Sequence, residues 1–285
     1  MRSNLWLQAY IGAKRVFSHC ITVVMPVRAT PVRAIVGGLA LLLMLLTIGG
    51  FPGDLFGQQH ALSPPTATDT TDTLYTRQPP SRNGIGKVYL GREISKVMGH
   101  RGAEWLERPA RESKERPDLL VDSLPVDASD TVADIGAGTG YLSFRVAPRV
   151  PQGNVLAVDI QPEMLNIIRK RITERDVTNV TPVRGTVTDP QLPTDSVDLA
   201  YMVDAYHEFS HPYEMMTALY EDLTPGGRVV LVEYRREDPS IPIKTLHKMT
   251  EAQTRKEMRV AGYEWVETRE MLPRQHFMIF QKPVD

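Results

Sequence analysis

One cysteine, Cys20, is all that this sequence of 285 residues contains. An intrachain disulfide and a cysteine-based metal cluster are therefore excluded. A surplus of positive charge is also missing, with 33 Lys and Arg against 34 Asp and Glu. The near balance is uneven along the chain. Residues 1–53 hold five bases (Arg2, Lys14, Arg15, Arg28 and Arg33) and no acid, which leaves 28 bases against 34 acids beyond them. A mildly acidic body has the wrong sign for a nucleic-acid face, so no nucleic-acid partner is expected. Internal repeats are absent, and solenoids are set aside with them.

Long apolar runs are scarce too, with one exception. Ala34 to Phe51, "AIVGGLALLLMLLTIGGF", carries no charge over 18 residues. At about 1.5 Å per residue such a helix just spans a hydrocarbon core. Two readings stand side by side: a membrane anchor, and a cleaved signal peptide with "TIG" ending at Gly49 as its weak cleavage site. A buried core helix is the third. The bases ahead of the run put the body outside by the positive-inside rule, while a cytoplasm-facing body stays open. A start at Met25 would give a more ordinary signal than Met1. Membrane contact is expected through this segment alone.

Residues 54–86 read as a disordered linker, since Gly57 to Gly86 is rich in Pro, Ser, Thr and Gly and poor in large apolar residues. Residues 87–126 read as a helical extension, broken by Pro109 and Pro117. Residues 127–285 form the main domain. From Val126 strand and helix signals alternate, the pattern of a parallel sheet covered by helices. The expected strands are "TVADI", "NVLAVDI", "NVTPVRG", "VDLAYMVDA" and "GGRVVLVEY", then "YEWVETREML" and "HFMIFQKP" as an antiparallel hairpin. Thr250 and Gln253 form a capping box for the helix closed by Gly262. The expected fold class is α/β, a doubly wound, mostly parallel seven-stranded sheet with an antiparallel C-terminal hairpin.

The first strand leads into "GAGTG". A dinucleotide fingerprint would need glycines at 136, 138 and 141, but residue 141 is Tyr and the third glycine is Gly140. Gly136 and Gly138 let the backbone pass close to a ligand. Asp134 ends the strand with a negative charge, which suits an ammonium or sulfonium group better than a pyrophosphate. S-adenosylmethionine carries both cations. Asp159 ends the second strand 19 residues after Gly140, where a carboxylate can accept both ribose hydroxyls.

With "VADIGAGTGYLS", "VLAVDIQPEML", "GTVTDPQLP", "VDLAYMVDAYHEF" and "LTPGGRVVLVEY", residues 130–285 resemble the class I S-adenosylmethionine-dependent methyltransferases. The lead-in "YLGREISKVMGHRGAEWLERPARESKERPDLL" is similar to that of a bacterial subgroup with unassigned substrates. The resemblance implies a Rossmann-like methyltransferase fold and S-adenosylmethionine as cofactor, bound by Asp134, Gly136, Gly138, Thr139, Gly140 and Asp159. It further implies Ile160 on the adenine face and Asp189 at the adenine edge. The acceptor, a small molecule or a lipid, is not named by the sequence.

"DAYHEFSHP", Asp204 to Pro212, lies at the end of the fourth strand, the sheet edge where ligands sit. Methyl transfer from a sulfonium needs positioning, exclusion of water and, for a hydroxyl or amine acceptor, a proton sink. Asp204, His207 and Glu208 are the candidates for that last role. They also offer a loose divalent-metal site, although no metal ligand set is assigned. "HEFSH" matches the zinc-protease pattern, but Pro212 drives His211 from helical angles. A zinc hydrolase is accordingly the third function class, after methyl transfer and a non-catalytic cofactor-binding scaffold. Trp105, Glu107 and Arg108 suit either a lid over the acceptor or a helix packed on the sheet.

Overall fold

The computed structural model describes residues 74–284. Among them no helix is long and apolar enough to cross a membrane. The run Ala34–Phe51 lies outside the described residues.

The chain is ordered earlier than its composition suggests. Strands β1 (Tyr75–Arg77), β2 (Gly84–Tyr89) and β3 (Arg92–Ser95) form a small antiparallel sheet in the order β1-β2-β3. This corrects both the linker expected up to residue 86 and the helical extension expected from residue 87. Lys87 and Arg92 are buried beside Tyr89 and Ile94, so charge does not mark the solvent side here. A two-residue turn joins β2 to β3, with Tyr89 opposite Arg92 and both Leu90 and Gly91 at positive φ.

Helical structure begins later in the extension. Helices α1 (Ala103–Leu106), α2 (Ala110–Glu115) and α3 (Pro117–Ser123) are short. Arg116 separates the last two at φ 53°, where the following proline disfavours helical angles.

The main domain follows the expected alternation. Its elements are β4 (Thr131–Ile135), α4 (Ser143–Val146), β5 (Asn154–Asp159), α5 (Pro162–Arg175), β6 (Val180–Arg184) and β7 (Val197–Val203). Then come α6 (Pro212–Asp222), β8 (Leu223–Tyr234), α7 (Glu251–Val260), β9 (Glu264–Arg269) and β10 (Gln275–Gln281). The strand order is β6-β5-β4-β7-β8-β10-β9. Pairing is parallel from β6 to β8, and β10 runs antiparallel to both of its neighbours. The expected fold class is the observed one.

Alternation within strands builds a core on each face of the sheet. Val132, Val155, Val230 and Val232 pack on one side with Phe144, Leu165 and Ile168. Ala133, Val158, Val229 and Leu231 pack on the other with Met216, Leu219 and Met258. Helix termini behave as their residues dictate. Pro162 and Pro212 open α5 and α6 within the first turn, and Thr250 Oγ1 accepts from Gln253 N at 3.1 Å to cap α7.

From β4 the chain moves outward to β5 and β6, then crosses to β7 on the other side. This reversal opens a crevice at the carboxyl ends of β4 and β7. A Cβ placed on Gly136 would lie 2.9 Å from Ala205 Cβ, so the loops after these strands touch.

Candidate functional site

The crevice holds two adjoining cavities. The first, about 210 Å³, is lined by Gly136, Gly138, Asp159, Ile160 and the loop residues Thr186 and Val187. The second, about 510 Å³, is lined by His207, Tyr234, Ile243 and His247, among others. Val97, Met98, Leu106, Val203, Asp204 and Glu208 face both.

The glycine loop needs its glycines for two reasons. Gly136, Gly138 and Gly140 all have positive φ. In addition, a Cβ on Gly138 would sit 2.5 Å from Leu106 Cδ1, and one on Gly140 would sit 2.9 Å from the Phe144 ring. Leu106 therefore lies directly over the loop. Glu107 accepts from Thr139 Oγ1 and from Arg171 Nη1 (2.7 Å for the arginine), which clamps the extension onto the main domain. Trp105 is half exposed with Arg108 stacked on it at 3.8 Å. Both residues line the second cavity, whereas Glu107 does not.

Asp159 stands at the floor of the first cavity. Its Oδ2 accepts from Gly138 N and its Oδ1 from Gln161 N, each at 2.8 Å. Burial raises its pKa, and the two amides oppose that shift. Each carboxylate oxygen keeps a further lone pair for a ligand. Gln161 also accepts from His100 N and donates to Met98 O, tying the extension to the cavity wall.

Four other residues of the expected cofactor set do not line the first cavity. Asp134 is turned into the core, where it accepts from Ser143 Oγ at 2.6 Å, and burial pushes its pKa up to about 6. Its expected meeting with a ligand cation is thus corrected to a supporting role beneath the loop. Thr139 holds Glu107, and Gly140 packs on Phe144. Asp189 closes its own turn, with Oδ1 accepting from Gln191 N and its carbonyl from Thr186 N. The adjacent loop contributes Thr186 and Val187 to the cavity instead.

The three acid–base candidates do converge. Asp204 has φ 52°, a left-handed conformation uncommon outside glycine. Its Oδ2 accepts from Gln275 Nε2 at 2.9 Å, while its buried Oδ1 has no partner. Burial raises its pKa well above the usual range, helped by Glu115 and Glu233. His207 lies in a tight turn, Tyr206–Glu208, with Nδ1 2.6 Å from Glu233 Oε2. Burial alone would lower its pKa, but Glu233, with Glu208 and Asp204, outweighs burial and holds it above the ordinary value. Glu208 Oε2 accepts from Met98 N at 2.9 Å.

No helix carries both histidines of "HEFSH". His211 caps α6 at φ −137° and ψ 65°, one element beyond His207. Asp204 does not join His207 and Glu208 as a ligand set either; the residue near both is His247. Glu233, Tyr234 and His247 escape sequence reading because they come from β8 and the loop after it. Only the fold brings them to the end of β7.

Sequence comparison agrees with this architecture. Residues 132–227 match a family described as a methyltransferase domain. They belong to the class I S-adenosylmethionine-dependent methyltransferases. S-adenosylmethionine is the cofactor of this domain, and the first cavity suits it, with a buried carboxylate and glycine backbone on its wall. An uncharacterized methyltransferase-like protein of Schizosaccharomyces pombe is 29% identical over 150 residues, 53% of this chain and 56% of that protein. A demethylmenaquinone methyltransferase of Chlamydia trachomatis is 29% identical over 116 residues, 41% of this chain and 49% of its own. The chain thus spans about half the length of the curated relatives it matches. The crystal structure of an S-adenosylmethionine-dependent methyltransferase from Aquifex aeolicus superposes with a TM-score of 0.62 at 20% identity. That superposition covers 65% of this chain and all of that one, and it bears on the fold.

Proposed function

We propose that this protein transfers the methyl group of S-adenosylmethionine to a hydroxyl or amine of an acceptor held in the larger cavity. The observation that carries this reading is the shared wall. Asp204 and Glu208 border the glycine-loop cavity and the larger one alike, so a donor and an acceptor would meet at these side chains. The cofactor supplies an activated methyl group on a cationic sulfur, which leaves the protein to orient, exclude water and accept a proton.

Asp159 would hold the ribose hydroxyls, with Ile160 beside the base and Gly136 and Gly138 allowing close approach. Glu208 gives the boundary a negative charge that favours a cation. His207 is the proposed base for the acceptor. Donation from Nδ1 to Glu233 fixes the ring and leaves the Nε2 lone pair 3.1 Å from His247 Nδ1 on the wall of the larger cavity. Trp105, Tyr234, Pro242 and Ile243 line that cavity beside Arg108 and Lys244. This mixture suits a partly apolar small molecule or a lipid carrying a polar group. The segment 34–51 is proposed to anchor or export the body.

The test is titration of the full chain with S-adenosylmethionine, S-adenosylhomocysteine and NAD, followed by label transfer from methyl-labelled cofactor to a small-molecule and lipid extract. Micromolar binding of the first two, none of NAD and a labelled product are expected. His207→Asn keeps an amide donor near the Nδ1 position toward Glu233 and removes the base. It should lower transfer about 10²- to 10⁴-fold while sparing cofactor affinity. Folded protein that binds no S-adenosylmethionine would overturn the reading. Binding with no transfer to any acceptor would favour the scaffold.

A further inference from the structure

On the wall of the larger cavity His247 joins His207 and Glu208 in a close cluster. His207 Nε2 lies 3.1 Å from His247 Nδ1, and His247 Nδ1 lies 3.4 Å from Glu208 Oε1. The same glutamate oxygen is 3.8 Å from His207 Nε2. We propose that these three atoms bind one first-row divalent transition ion, with zinc as the simplest case.

The distances fit a single centre. A triangle with those sides has a circumradius of about 2.0 Å, so a point in its plane is equidistant from all three atoms at a normal bond length for zinc to imidazole nitrogen or carboxylate oxygen. Two imidazoles and one carboxylate suit zinc, iron, nickel or copper rather than magnesium or calcium.

The supporting groups agree. A histidine ligand usually donates its other ring N–H to a carboxylate, which fixes the ring and strengthens the ligand. His207 Nδ1 meets Glu233 Oε2 at 2.6 Å, in a fully buried pair. The second oxygen of Glu208 is held by Met98 N at 2.9 Å, leaving Oε1 for the cluster. His247 ends a tight turn, Thr245–His247, in the loop between β8 and α7.

Charge points the same way. Glu208 and Glu233 flank His207, and among the described residues no Lys or Arg forms an ion pair with either. The nearby arginines are engaged elsewhere: Arg92 with Glu257, and Arg108 and Arg111 with Glu115. A dication on His207 Nε2 would balance this excess.

Three protein ligands on the cavity wall leave a further coordination position facing the space proposed for the acceptor, the arrangement of a reactive rather than a closed structural site. An ion there would bind the acceptor's oxygen and lower its pKa, so that its proton passes to solvent water before the methyl group is transferred, with His207 serving as ligand instead of base. That use of the ion rests on the methyl-transfer reading; its binding does not, and can be measured without cofactor.

Full chain in detergent, stripped with a chelator and dialysed, is titrated with Co²⁺ and followed by visible absorbance, with Zn²⁺ as competitor. One equivalent per chain and a ligand-field band displaced by Zn²⁺ are expected. His207→Ala would strand Glu233 in the core, so the deciding variants are His247→Ala and Glu208→Gln. Each should weaken metal binding at least tenfold, and His247→Ala, which lies outside the cofactor cavity, should leave S-adenosylmethionine affinity, measured on the same samples, within twofold. Glu233→Gln should weaken metal binding about 10- to 100-fold through ligand orientation. Absence of a stoichiometric site in the parent, or unchanged affinity in His247→Ala, would overturn the proposal whatever the outcome for methyl transfer.

Discussion

Asp159 is the residue on which the cofactor assignment is most exposed. Its two oxygens already accept from Gly138 and Gln161, so it braces the glycine loop as well as facing the cavity. Asp159→Asn removes the charge while keeping the shape. Loss of charge-assisted hydrogen bonds of about 1–3 kcal/mol corresponds to about 5- to 150-fold weaker S-adenosylmethionine binding. Calorimetry on the folded variant measures this, and unchanged affinity would remove the ribose from this position. Asp204 differs in kind. Its left-handed backbone and its buried, unpartnered Oδ1 mark a side chain held in place by its surroundings at the boundary of both cavities. Spacing made Asp159 legible in the sequence, since an acid ending the second strand faces the loop after the first. Asp134 was misplaced because spacing locates a residue on a strand, while the pleat decides which way it turns.

Among the elements, the β2–β3 hairpin does most to shape the site. Arg92 makes a two-pronged contact with Glu257 of α7, Nε to Oε1 at 2.7 Å and Nη2 to Oε2 at 2.8 Å, and both side chains are buried. Arg92 Nη1 and Ser95 Oγ also donate to the carbonyl of His207 at 3.2 and 3.3 Å. The hairpin thus holds the turn that carries the proposed base. Removing one partner of a buried pair leaves the other charge stranded. Arg92→Met should cost about 3–5 kcal/mol in chemical denaturation, and Arg92→Met with Glu257→Leu should recover much of it. A double variant no more stable than the single would show that the cost lies in lost packing of the hairpin. Sequence reading failed on this element because the ion pair spans 165 residues. An arginine whose partner is that distant in the chain reads as a solvated face.

At the scale of the whole molecule, several buried acids tie stability to pH. Burial raises Asp134 to about 6 and Asp222 to about 7, each from an ordinary value near 3.8. His207 is also raised, chiefly because Glu233 outweighs its burial. Groups with raised folded pKa values take up protons on folding, so their contribution is complete at low pH and is lost as pH rises through those values. His211, lowered by burial, acts in the opposite sense but is partly exposed. The melting temperature should therefore rise as pH falls from about 8 to about 5.5, and Asp222→Asn should flatten that slope. Scanning calorimetry across this range checks both, and a melting temperature that falls on acidification would contradict the sign.

The sequence by itself determined the alternation of strands and helices from residue 131 onward, the glycine loop, and the acid that faces it. Those features are local: two-residue and 3.6-residue periods, prolines at helix starts and glycines at positive φ act within a few residues of themselves. The tertiary structure decided which faces those features turn to one another. It placed a charged segment in a buried hairpin, turned Asp134 inward, and brought His247 and Glu233 to His207. These contacts join segments tens of residues apart, and their energy comes from burial and charge pairing that exist only once the sheet has closed over them.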